Sequence, residues 1–441
     1  MPAPRLFAFP HCDGNTRVGI LRVPRTNLTT IKPVMWGNTG LLTQESMEKV
    51  DSDADRNEPN RVARRAWWIA GLTFAILIAA YVGFRLPSLY SMTLYNIGIT
   101  DGAWRRGIFG TVLSPLWEAT QYRYGVMALV ALGILALLLW TAIAATWRAR
   151  WDGQRLLVIA WFISPAGAYL FHEIGYLDQF IYLLFFLAAY MVGRTAFIAP
   201  VIIMGFSVLV HELTLFTTLP LFVLVSVLRG ISARSLGFLA LPVLTGLLLY
   251  FAPRMTEEQV GATGARLQEV LPFEIRWDAV ALFGRSLSET WAMEFYSPSQ
   301  GFLIVLPLLI VSTVSTALVV LLLARRLDAT VSLARIRWAQ FLATGATAVP
   351  FFLVFLGWDF YRWAFLGLVN FGIVMYVWLS HAVKQPSFAT VAILLLPLAM
   401  LFYTPLQYFD GYAPRTFTPD MFERIGYSPH TEFLGFPDDR L

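Results

Sequence analysis

Long runs of apolar residues constrain this chain more than any other feature. A helix needs roughly 20 predominantly apolar residues to cross about 30 Å of hydrocarbon. Eleven segments approach or reach that length: 66–86, 124–146, 156–172, 177–193, 196–211, 213–228, 235–252, 301–324, 338–357, 363–380 and 387–405. Within them the apolar residues are continuous rather than alternating, which excludes a transmembrane β-barrel. Apolar residues make up 57% of the chain and charged residues 14%, a balance that excludes an ordinary soluble domain. The predicted fold is all-α, a polytopic transmembrane bundle of about eleven spans occupying 66–405.

Basic residues set the expected orientation. Arg61, Arg64 and Arg65 precede the first span, so the polar tail 1–65 is predicted cytoplasmic and unstructured. Met35 and Met47 are alternative starts within it. With that origin, Arg148, Arg150, Arg155, Arg194, Arg229, Arg234, Arg325, Arg326, Arg335, Arg337 and Lys384 all fall in cytoplasmic loops. The loop 87–123, the loop or small cap 253–300 and the short tail 406–441 then face outward. The net charge of +5 reflects these loop arginines and points to the lipid bilayer, not to nucleic acid. A single cysteine, Cys12, excludes an internal disulfide framework and Cys-based metal sites.

Ionisable groups beside a bilayer are costly and are candidates for function. The same threading brings the ionisable clusters to the outer side. The first outer loop reads Asp101-Gly102-Ala103-Trp104-Arg105-Arg106-Gly107. Trp104, Ile108 and Val112 stand four apart, as on a helix lying in the interface. Arg105 and Arg106 offer paired guanidiniums for a phosphate or pyrophosphate, and Asp101 a carboxylate for acid–base work. Read structurally, Asp101 caps a helix and the arginines anchor lipid headgroups.

His172-Glu173 and His211-Glu212 cap the third and fifth spans. Each pair could orient a sugar hydroxyl, hold a proton or bind a divalent cation, though the spacing matches no defined metal motif. Asp178 begins the fourth span, where capping explains it cheaply. In Trp358-Asp359-Phe360-Tyr361-Arg362-Trp363, an acid and a base three apart are interleaved with rings that could stack a sugar. The alternative is an aromatic belt with a local ion pair. The acidic residues of 253–300 read as solvated surface.

This arrangement resembles the GT-C superfamily of membrane glycosyltransferases. The likeness lies in the cytoplasmic N-terminus, the interfacial helix and acidic residue of the first outer loop, and the polar residues at outer helix ends. The stretch from Asp101 to Gly107 is similar to a D-x-x-x-R-R-G pattern in bacterial proteins of surface-polysaccharide type. The resemblance implies a bacterial inner-membrane enzyme moving a sugar from a polyprenyl-phosphate donor to a glycan, lipid or protein acceptor, with inversion. It implies Asp101 as base and Arg105, Arg106 and Arg362 on the lipid phosphate. His172, Glu173, His211, Glu212, Trp358 and Asp359 would shape the substrate sites. The first loop lacks the paired acids of some GT-C families, so no cofactor is assigned beyond a possible divalent cation. The rival readings are a polysaccharide polymerase or ligase using lipid pyrophosphate, a transporter or flippase, and a non-catalytic assembly subunit.

Overall fold

The computed structural model describes residues 58–118, 123–271, 273–285, 300–324, 333–355, 359–404, 406–408 and 414–415. The expectations for Trp358, for the tail before residue 58 and for the segment beyond 415 lie outside the described residues. Every described element is helical. Among the described residues, five helices are long and apolar enough to cross a membrane: Val62–Gly83, Tyr124–Arg148, Ala233–Phe251, Val305–Ala324 and Phe360–Ser380. All but Phe360–Ser380 expose an apolar face, with Leu244, Leu247 and Leu248 on one and Ile310, Leu318 and Leu321 on another, as a lipid solvent requires.

The remaining apolar segments differ from the expected full-length spans. The segment 156–172 breaks into Asp152–Ile163 and Pro165–His172, bent by 60°, which makes a sixth crossing if the pair is one span. Ser164 is extended, because the proline that follows disfavours helical backbone before it, and Pro165 opens the second half. Leu177–Met191 has 15 residues and Ile198–Val210 and Phe388–Met400 have 13 each. Fifteen residues rise only about 22 Å. The segment 338–357 becomes the α-helix Leu333–Ala348 and then the tighter 3-10 turns Val349–Phe355. The helix expected from Trp104 through Val112 starts only at Gly107, so Trp104 lies in the turn before it.

Phe360–Ser380 forms the centre of the bundle, burying Trp363, Phe365, Phe371, Trp378 and a fully buried amide, Asn370. The Asn370 amide nitrogen donates to Thr217 O at 2.9 Å and Ala346 O at 2.7 Å, and its oxygen accepts from the Tyr182 hydroxyl at 2.6 Å. One side chain thus ties three other helical segments to the central helix. Asn370→Leu removes the donor of two carbonyls and leaves the Tyr182 hydroxyl only its longer bond to Leu366 O at 3.4 Å, at about 1–3 kcal/mol for an unsatisfied buried group. The expected result is a lower unfolding temperature in detergent, partly restored by adding Tyr182→Phe. An unchanged melting curve would dismiss the node.

Helix ends gather into two polar layers. In one, Asp152 pairs with Arg64 and with Arg155, Gln154 donates to Tyr376 O, and Trp151 donates to Ala382 O. In the other, Arg85 donates to His172 O and Tyr124 to Pro87 O. That second layer holds the ionisable clusters.

Candidate functional site

Arg362 is the hub of the second layer. It lies in the first turn of Phe360–Ser380, with Asp359 at the N-cap. Its Nε donates to Asp178 Oδ2 at 2.6 Å and its Nη1 to Asp359 Oδ2 at 3.1 Å. Glu173 Oε2 stands 3.9 Å from the same Nε. The guanidinium lies over the Tyr176 ring at 4.9 Å and the Trp363 ring at 5.3 Å. Cations over aromatic faces are attracted by the ring quadrupole, more strongly when desolvated.

Asp178 extends the network toward the His-Glu turn. Its Oδ1 is 3.9 Å from His211 Nε2, and His211 Nδ1 is 3.3 Å from Glu212 Oε2. The His211 ring is fixed locally, since Nδ1 accepts the Leu213 backbone N–H at 3.3 Å. Glu212 in turn receives Arg106, whose Nε donates to Oε1 at 3.0 Å and whose Nη2 donates to the same oxygen at 2.5 Å. Residues 106, 212, 211, 178, 362 and 359 therefore form one connected polar network. It joins segments up to 184 residues apart in sequence.

Arg106 reaches Glu212 from an unusual backbone. It has φ of 60°, the one left-handed residue other than glycine among the described residues. Such conformations persist where the surroundings over-determine them, and they gather at functional sites. Gly107 follows, where a Cβ would press on the Gly98 and Ile99 backbone at 3.1 Å, tighter than an ordinary contact. Arg105 points elsewhere, donating to Arg285 O at 3.1 Å. Among the described residues it makes no salt bridge.

Asp101 stands apart from the hub. Its Oδ2 accepts the Gly98 N–H at 2.9 Å and its Oδ1 accepts Arg266 at 2.8 Å. Arg266 belongs to Glu257–Val270, a helix opened by the capping box of Thr256 and Gln259. Over the described part of 253–300 the acidic residues Glu257, Glu258, Glu269 and Glu274 are exposed, as expected of solvated surface, while apolar residues between them are buried. Met255, Leu267, Leu271, Ile275, Val280 and Phe283 bury a small core together with Ile97 and Ala103 of the first loop.

Other expectations change as well. Asp178 is not merely a helix cap: it is 2% exposed and bonded to Arg362, a partner that local sequence gives no sign of. His172 is fully buried, its ring 4.4 Å from Tyr408 and 5.6 Å from Tyr169. Glu173 is 1% exposed, and neither carboxylate oxygen has a hydrogen-bond partner among the described residues. Burial pushes its carboxyl up to about 8, against the pull of Arg362. Burial also raises the Asp359 carboxyl above its ordinary range, with Arg362 opposing. Tyr90, stacked on Tyr176 at 6.0 Å, joins the aromatic lining that sequence reading missed.

Among the described residues, no three His, Cys, Asp or Glu side chains converge to hold a metal. The donor set explains this, since Glu212, Asp178 and Asp359 already face guanidiniums. The chain was compared with protein-family profiles, curated proteins and solved structures, and none of them matches it.

Proposed function

We propose that this chain is a membrane glycosyltransferase acting on a sugar carried by a polyprenyl phosphate. The supporting observation is the convergence of the Arg105-Arg106 turn, both His-Glu pairs and Asp359-Arg362 at one end of the bundle, where an amphiphilic donor would present its headgroup. We place that end on the outer side of a bacterial inner membrane, following the arginine distribution.

In this reading the acceptor oxygen bonds to the anomeric carbon as the bond from that carbon to the phosphate oxygen breaks. The electron pair leaves with the lipid phosphate, and direct displacement inverts the anomeric centre. Arg105 meets the phosphate first, because its donors face a carbonyl rather than a carboxylate. Arg106 lies beside it, already oriented by Glu212. Arg362 is enclosed by Asp178 and Asp359 and acts as scaffold.

The acceptor's proton passes to Asp359. This carboxylate is bonded to Arg362 through Oδ2 and its side chain is 23% exposed, so it is reachable as well as held. Its raised pKa brings it nearer the range of an effective base. Asp101, the base implied by the family resemblance, has both oxygens engaged. Asp359→Asn should lower transfer from a polyprenyl-linked sugar by 10²-fold or more, the usual span of general-base catalysis. Near-normal turnover by a folded variant would remove Asp359 from the role.

One observation favours a second reading. The network holds four carboxylates, Glu173, Asp178, Glu212 and Asp359, against Arg106 and Arg362. Such an excess suits proton-coupled transport of a lipid-linked or anionic substrate. Uptake into proteoliposomes without bond formation would establish transport in place of transfer.

A further inference from the structure

We propose that Asp101 and Arg266 form a latch that closes the 255–283 cap over the first loop and so positions Arg106 against Glu212. The kinetic part of this inference rests on the transferase reading; the structural part does not. The turn from Gly98 to Gly107 is held at two points. At one, Asp101 joins the Gly98 N–H to the Arg266 guanidinium. At the other, Arg105 donates to Arg285 O. Directly after each of them the backbone turns left-handed, at Gly102 with φ of 92° and at Arg106 with φ of 60°. A left-handed residue other than glycine is strained, because its Cβ crowds the following carbonyl oxygen. The turn therefore stays in place only if tertiary contacts outweigh that strain.

The cap supplies those contacts. Ile97 and Ala103, on either side of Asp101, are 0% and 1% exposed beneath Leu267, Ile275 and Val280. The Arg276 N–H donates to Thr93 Oγ1 at 3.0 Å, pinning the cap to the residues that lead into the loop. Gly102 lies against the Gln259 side chain, where a Cβ would come within 3.3 Å. The latch adds an ion pair to this seam, with 46% exposure for the Arg266 side chain and 15% for Asp101. Asp101 is thus a positioning residue that acts through the backbone leading to Arg106.

The test compares Asp101→Asn, Arg266→Gln, their double variant and Arg266→Lys in the full chain. Asn still accepts the Gly98 N–H, so Asp101→Asn removes the ion pair while keeping the turn's own hydrogen bond. A Cys12→Ser, Val280→Cys background places one near-isosteric thiol in the buried seam, and maleimide labelling reads its opening. An exposed ion pair contributes about 0.2–1 kcal/mol, so each single variant should label up to about five-fold faster. The double variant should label no faster than the quicker single, since both remove one contact. Arg266→Lys should recover much of the protection. Turnover should fall by similar factors in both singles, without a further fall in the double.

Unchanged labelling in both singles would overturn the latch. So would loss of turnover in Asp101→Asn beside normal turnover in Arg266→Gln, which would return Asp101 to the role of base. If the unaltered protein transfers no sugar, the transferase reading fails, and labelling alone still decides the latch.

Discussion

Arg362→Met should prevent accumulation of folded protein or lower its stability by about 3–5 kcal/mol, the usual effect of breaking a buried ion pair from one side. Arg362 is 7% exposed and stands between Asp178 and Asp359, with Glu173 at 3.9 Å. Removing it leaves three carboxylates within a low-dielectric layer and no guanidinium among them. They would then take up protons or draw in water, and either response opens the packing around Tyr176 and Trp363. Arg362→Lys keeps the charge but has one nitrogen in place of the fork, so it cannot reproduce donation to Asp178 and Asp359 together. Its stability should fall between the two. The decisive comparison is Arg362→Met combined with Asp178→Asn. If the ion pair carries the effect, the double variant melts above the single, because one stranded charge has been removed. Thermal unfolding followed by size-exclusion chromatography in detergent checks this. A double variant worse than the single would mean that the arginine acts mainly through its packing.

That network also marks where sequence reading reached and where it stopped. The all-helical class and membrane-crossing helices were legible because apolar composition and run length are local properties. Number and straightness of crossings were less so. The break at Ser164-Pro165 carried a proline signal, yet the stop of Ile198–Val210 after 13 residues depends on the packing of the turn that follows. At the site, the chemistry-bearing types were recognisable from their placement at helix ends. Their partners were not. Asp178 at a helix start looks like an ordinary dipole-favoured cap, and nothing near it in sequence announces Arg362. Asp101 likewise reads as a local helix cap, yet its second carboxylate oxygen meets Arg266, 165 residues away. A missed signal was present in 253–285: Thr256-Glu257-Glu258-Gln259 is a capping box, and a helix starting there can place Leu267 and Leu271 on one buried face.

The pH dependence of stability supplies the second large effect, through Glu173. The side chain is buried beside Arg362, with Asp178, Asp359 and Arg85 contributing their fields, and burial lifts its carboxyl from the ordinary 4.5 to about 8. The folded state therefore binds this proton more tightly than the unfolded chain does. The resulting stabilisation is fully present below about pH 4.5, shrinks as pH rises, and is lost above about 8. A single such group contributes a slope of roughly 1.4 kcal/mol per pH unit within that window. Glu173→Gln keeps the shape of the protonated side chain and abolishes the titration. Its unfolding temperature should match the unaltered protein below about pH 4.5, exceed it increasingly up to about pH 8, and stay above it by a constant margin beyond. The same substitution discriminates between the two functional readings. A transferase using Asp359 as base keeps its turnover in Glu173→Gln, whereas a transporter that loads a proton on Glu173 loses its pH-driven uptake. If the two melting curves run parallel across the range, Glu173 is already ionised in the folded protein. The carboxylates would then be balanced by Arg362 and Arg106 with the field of Arg85, and the case for proton coupling would lose its chemical basis.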